Sequence, residues 1–86
     1  DLRAARDDLA TRAAAAGYEV VESDANFVLV GRWADRHRAW QQLLDQGVLV
    51  RETGPEGFLR VSAGTPEEME AFHAALARVD APRMGE

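Results

Sequence analysis

The chain contains no lysine: all ten of its basic residues are arginine. Lysine is the side chain that condenses with carbonyl cofactors as a Schiff base, so no side-chain amine is present for that chemistry. Cysteine is absent as well. Its absence excludes a disulfide framework and a thiolate metal site, and it fits a cytosolic setting. The apolar runs are far shorter than the ~20 residues of a membrane-spanning helix, and no secretory signal pattern appears. The basic stripe of a nucleic-acid reader is also missing. Arg32, Arg36 and Arg38 cluster, but Asp35 and Asp45 lie close by and the net charge is −5. That balance argues against phosphate-backbone binding.

What is present suits one small globular domain. The chain has 86 residues, of which 47% are hydrophobic, enough for a modest core. It begins with Asp1 rather than Met, which predicts a processed product or a piece of something longer.

Apolar spacing predicts helices alternating with short strands. Leu2, Arg6, Leu9, Ala13 and Ala16 fall near one face of a predicted helix over 2–16, with Asp1 as its N-cap and Gly17 as its stop. Tyr18 to Val21 is a strand candidate. Ser23 to Asn26 reads as a turn, and Phe27 to Val30 as a strand buried on both faces and closed by Gly31. A second helix is predicted from Asp35, its N-cap, to Gln46, with Ala39, Trp40, Leu43 and Leu44 buried and Gly47 as the stop. Val48 to Val50 and Phe58 to Ala63 read as two further strands. The last helix carries the clearest local signal. Thr65-Pro66-Glu67-Glu68 is a capping box with proline at the first helical position, followed by Met69, Phe72, Leu76 and Val79 at helical spacing. Ala81 to Glu86 reads as a loose, flexible tail. The expected fold is α+β, in the order α-β-β-α-β-β-α: a small mixed or antiparallel sheet with helices mainly on one face.

Two arginines stand out within Gly47 to Thr65. Alternation puts Phe58, Arg60 and Ser62 on one strand face and Leu59, Val61 and Ala63 on the core face. Arg60 is then either a solvated strand residue or an anion fork beside Ser62. Arg51 ends the preceding strand. It either pairs with Glu52 or Glu56 on the surface or, if the two strands form a hairpin around Gly54, Pro55 and Gly57, converges with Arg60 on one anion.

Other candidates read more plainly. His37 and His73 lack partners at metal-ligand spacing. Ser23 and Ser62 have no nucleophile elbow. Glu67, Glu68 and Glu70 complement a helix N-terminus. Trp33 and Trp40 read as interface or core, with core favoured for Trp40.

Three strings carry a resemblance: SDANFVL from Ser23, GVLVR from Gly47 and LRVSAGTPEE from Leu59. Together they resemble the closing part of the histidinol-phosphate aminotransferase family, fold-type I enzymes that use pyridoxal 5′-phosphate. The resemblance runs from Leu2 to Val79. Aromatic-amino-acid aminotransferases close on similar strings, but Gly31 to Trp40 and the context of Arg51 look more like the histidinol-phosphate branch. A freestanding small-molecule-binding or interaction module is the alternative from another class.

The resemblance implies a C-terminal small domain over 1–80, belonging to a cytoplasmic, homodimeric parent. That parent would move an amino group between L-histidinol phosphate and 2-oxoglutarate in histidine biosynthesis. It implies that Arg60 holds the substrate's carboxylate or phosphate and that Arg51 shares the pocket. Asn26 and Phe27 carry over only a structural role. Family enzymes hold the cofactor on a large-domain lysine, with an aspartate and a tyrosine nearby, and Tyr18 is not in that context. The chain alone is therefore expected to bind no pyridoxal phosphate and to carry no catalytic residue and no metal. Without a large domain, apolar surface around the first helix and Trp33 is expected to be exposed and to promote self-association.

Overall fold

A computed structural model of the chain describes residues 2–22 and 26–84. Its elements are α1 (Leu2–Ala15), β1 (Glu19–Glu22), β2 (Phe27–Gly31), α2 (Arg36–Asp45), β3 (Leu59–Ser62) and α3 (Pro66–Leu76). The predicted Asp1 cap and most of the predicted 23–26 turn lie outside the described residues.

Local chemistry sets the helix ends. Both α1 and α2 stop on a glycine at positive φ, Gly17 at +97° and Gly47 at +83°. Each stop makes the paired backbone bonds of a Schellman turn. Tyr18 N–H reaches the Ala13 carbonyl at 3.2 Å and Gly17 N–H the Ala14 carbonyl at 3.0 Å; Val48 and Gly47 bond to Leu43 and Leu44 in the same way, both at 2.9 Å. Asp35 caps α2 by accepting from Arg38 N–H at 3.1 Å. The capping box of α3 forms in full: Thr65 N–H donates to Glu68 Oε1 at 2.8 Å, and Glu68 N–H to Thr65 Oγ1 at 3.1 Å. These bonds hold the Glu68 carboxyl below the usual carboxylate range, the Thr65 backbone bond contributing most.

The three strands form one antiparallel sheet in the order β1-β2-β3. Register decides its faces. Val28 pairs with Val61 and Val30 with Leu59. These four are buried and meet Leu9 and Ala13 of α1, Ala39 and Leu43 of α2, and Met69, Phe72, Ala75 and Leu76 of α3 in one cluster. The helices thus share one face of the sheet, as the α+β expectation holds. β2 is enclosed on both faces, since Leu29 is also buried on the far side.

The structure corrects four sequence readings. Val48 to Val50 is not a strand; only Arg51 bridges to β3. Its backbone is claimed by α2: Val48 N–H completes the helix stop, and the Val50 carbonyl accepts Trp40 Nε1–H at 3.0 Å. Trp33 is not an exposed patch; at 1% exposure it belongs to the core. Phe58 is buried rather than on a wet face. The segment read as a loose tail is bonded in place as far as Met84. Ala81 is buried in the core, Ala34 N–H bonds the Pro82 carbonyl at 3.0 Å, and Met84 N–H bonds the Arg32 carbonyl at 2.7 Å.

Candidate functional site

The far face of the sheet carries Phe27, Leu29, Arg60 and Ser62, by alternation and register. Arg51 joins them. Its N–H bonds the Arg60 carbonyl at 3.1 Å, and Arg60 N–H bonds the Arg51 carbonyl at 2.9 Å. That reciprocal exchange defines a directly opposed antiparallel pair, with Cα atoms ~5.5 Å apart and side chains on the same face. The two arginines singled out in the sequence are therefore brought side by side. Like charges directly opposite each other destabilise a sheet.

The other ion pairs show how unusual this is. Arg6 pairs with Asp7 and Glu22, Arg12 with Glu70, Arg32 with Glu19 and Arg38 with Asp80. Neither Arg51 nor Arg60 has a carboxylate partner among the described residues. The surface pair of Arg51 with Glu52 does not form, because Glu52 faces His37 Nδ1 at 3.0 Å.

Arg36, which sequence reasoning passed over, holds the turn between the two arginines. Its Nη1 donates to the carbonyls of Gly54, Pro55 and Phe58 at 3.5, 3.3 and 3.3 Å. With His37 on Glu52, the first turn of α2 grips both ends of the loop that carries Arg51. No sequence spacing signals this, since the partners are carbonyls of a loop some twenty residues away.

Other candidates stay separate. A concavity of about 740 Å³ lies between α1 and the start of α3. Its arginine, Arg12, is bound to Glu70 at 2.7 Å, which holds the Glu70 carboxyl below its usual range. His73 lies on α3 with its Nε2 buried and without a partner. Burial, reinforced by the Arg12 charge, pushes its pKa below the ordinary histidine value. Among the described residues no three His, Asp or Glu side chains gather as a metal site, and no helix is long and apolar enough to cross a membrane.

Residues 1–76 match the family model described as aminotransferase class I and II. The chain belongs to that family of pyridoxal-phosphate enzymes. It is 63% identical over 75 residues to the histidinol-phosphate aminotransferase of Streptomyces avermitilis, a match covering 87% of this chain and 20% of that protein. It is 60% identical over 75 residues to the Thermobifida fusca histidinol-phosphate aminotransferase, with the same coverage of both chains. A crystal structure of a Burkholderia pseudomallei protein, described as a candidate aminotransferase, superposes with a TM-score of 0.77 at 33% identity. That likeness covers 87% of this chain and 24% of the other. The chain thus spans about a fifth of the curated relatives it matches.

The residues present do not fit the family's cofactor. Its aldehyde needs a lysine amine, and none of the 86 residues is lysine. The one tyrosine, Tyr18, packs against Trp33 with ring centroids 5.2 Å apart, under the Arg83 guanidinium at 4.5 Å.

Proposed function

We propose that the chain is the C-terminal small domain of a histidinol-phosphate aminotransferase, the part that grips the anionic end of the substrate. The domain extends past residue 80 at least to Met84, since Ala81 is buried in the core and Met84 N–H bonds the Arg32 carbonyl. The names of its relatives support this reading, and the opposed pair of Arg51 and Arg60, without a carboxylate partner among the described residues, carries it. The reaction is reversible amino transfer between L-histidinol phosphate and 2-oxoglutarate. One substrate ends in a phosphate and the other in a carboxylate. A pair of guanidinium forks accepts either, because both present oxygens at the spacing of parallel N–H donors. Each hydrogen bond made at a charged group in a water-poor cleft contributes about 1.5–3 kcal/mol.

In the parent enzyme a large domain outside this chain would hold pyridoxal phosphate on its lysine, and that group would supply the amino-carrying chemistry. This chain's own residues bind and orient the substrate, and as a small domain it helps exclude water. The parent is a cytoplasmic homodimer. The chain by itself carries out no amino transfer.

The test is Arg60→Ala in the full-length enzyme. A loss of about 100-fold in kcat/KM with both anionic substrates is expected, from one charge-assisted fork. Unchanged kinetics with both substrates would overturn the reading. Preference for an aromatic amino acid over histidinol phosphate in the unaltered enzyme would move it to the aromatic branch.

A further inference from the structure

Arg60 is held by more than its backbone. Its guanidinium carbon lies over the Phe27 ring, 4.4 Å from the centroid. Register accounts for the contact: Phe27 faces Ser62 and Leu29 faces Arg60, so Phe27 and Arg60 are diagonal neighbours on one sheet face. The ring's own place is set from both sides. Phe27 is half-buried, and the preceding carbonyl, on Asn26, accepts from Ala63 N–H at 2.8 Å. Leu29, directly opposite Arg60, is buried and packs beneath the turn near Gly54.

A second observation restricts the guanidinium further. Arg60 Nε is buried and has no hydrogen-bond acceptor. A guanidinium has five N–H donors. Burial takes the Nε donor out of reach of a ligand and the ring covers one face. The four donors on the terminal nitrogens remain.

We propose that Phe27 is a positioning residue for substrate binding. Its ring fixes the plane of the Arg60 guanidinium, so that Nη1 and Nη2 meet the anion end-on. The fitting ligand presents two oxygens at fork spacing, a carboxylate or a phosphate monoester, and it is not gripped side-on through Nε. This deepens the anion-binding reading of Arg60 given above and rests on it. Leucine at position 27 would keep apolar bulk and lose the ring's negative face, whereas tyrosine would keep both.

The experiment uses the full-length enzyme, with 2-oxoglutarate and L-histidinol phosphate as substrates and inorganic phosphate as a competing probe. Phe27→Leu is expected to raise KM for both substrates, and the inhibition constant of phosphate, by about five- to tenfold. kcat should stay within about twofold, because the lost contact acts on binding. Phe27→Tyr should restore wild-type values to within about twofold. In an Arg60→Ala background, Phe27→Leu should have no further effect, since the two act as one unit. Pentafluorophenylalanine at position 27 keeps the shape and reverses the ring's quadrupole; it should behave like leucine, which keeps the test open if Phe27→Leu fails to fold. Unchanged KM in the leucine or pentafluoro variant, or an equal loss in the Arg60→Ala background, overturns the proposal while leaving Arg60 as an anion fork. No effect of Arg60→Ala itself overturns both.

Discussion

The two faces of the three-stranded sheet differ in how completely they satisfy themselves. On the helix-covered face, Val28, Val30, Leu59 and Val61 are buried against three helices, and Asp35 and Thr65 cap the N-termini of α2 and α3. On the far face, Arg51 and Arg60 are held opposite each other with no carboxylate partner among the described residues. Two neighbouring cations are tolerated there because backbone bonds, the α2 clamp and the Phe27 ring fix them from beneath. The first face holds the fold together, and the second uses that rigidity to keep an unmet charge in place. Such an arrangement is what a binding site needs, since positioning done in advance is not a cost at the moment of binding.

If the faces divide stability from function in this way, substitutions should separate them. The largest expected effect is on the helix-covered face. Trp33→Ala removes a fully buried indole and should destabilise the chain by about 4 kcal/mol, read from urea unfolding. A loss under about 1 kcal/mol would mean that Trp33 is not part of the core. Next is the 100-fold kinetic loss expected of Arg60→Ala, which should come with a stability change below about 1 kcal/mol, because no ion pair is broken. A large loss of stability would make Arg60 structural and erase the contrast. Smaller again is Thr65→Ala. Loss of the α3 cap should cost about 1 kcal/mol and leave anion affinity alone.

The mildest test is pH. Glu68, Glu70 and Asp80 have folded pKa values below their usual ones, held down by bonds from Thr65, Arg12 and Gln42 respectively. Their contribution is fully present above the unfolded carboxylate range and is lost as pH falls through the lower folded values. His73 is also lowered, mainly by burial. Its neutral form suits the fold, so stability begins to fall once pH drops below the ordinary histidine value of about 6.5. The urea midpoint should decline gently below pH ~6.5 and more steeply below pH ~4.5. A midpoint that rises on acidification would contradict these assignments. The His73→Gln variant should lose only the upper part of the decline.

Legibility in the sequence followed the range of the interaction. The capping box at Thr65 and the stops at Gly17 and Gly47 are local, so spacing and residue type sufficed. Alternation along β3 separated Leu59 and Val61 from Arg60, because a strand has a period of two. Val48 to Val50 looked like a strand for the same reason, but α2 takes its backbone groups, and no pattern within the segment records that. Trp33 and Ala81 join the core where the chain beyond α3 comes back against it, with Arg83 bridging Trp33. The arginine pair was half legible. Turn residues between two apolar runs pointed to a hairpin, whereas the lack of a carboxylate partner for Arg51 depends on Glu52 turning to His37. The Arg36 clamp and the ring beneath Arg60 were not legible, since both join residues distant in sequence.

The central claim is that Arg51 and Arg60 grip one anion together. A double-mutant cycle tests it most directly, using the affinity of the full-length enzyme for 2-oxoglutarate with Arg51→Gln, Arg60→Gln and both changes combined. Each single change should weaken binding, and the double change should cost less than their sum by about 1 kcal/mol or more, the signature of a shared ligand. Strict additivity, or an Arg51→Gln variant that binds as the unaltered enzyme does, would contradict it.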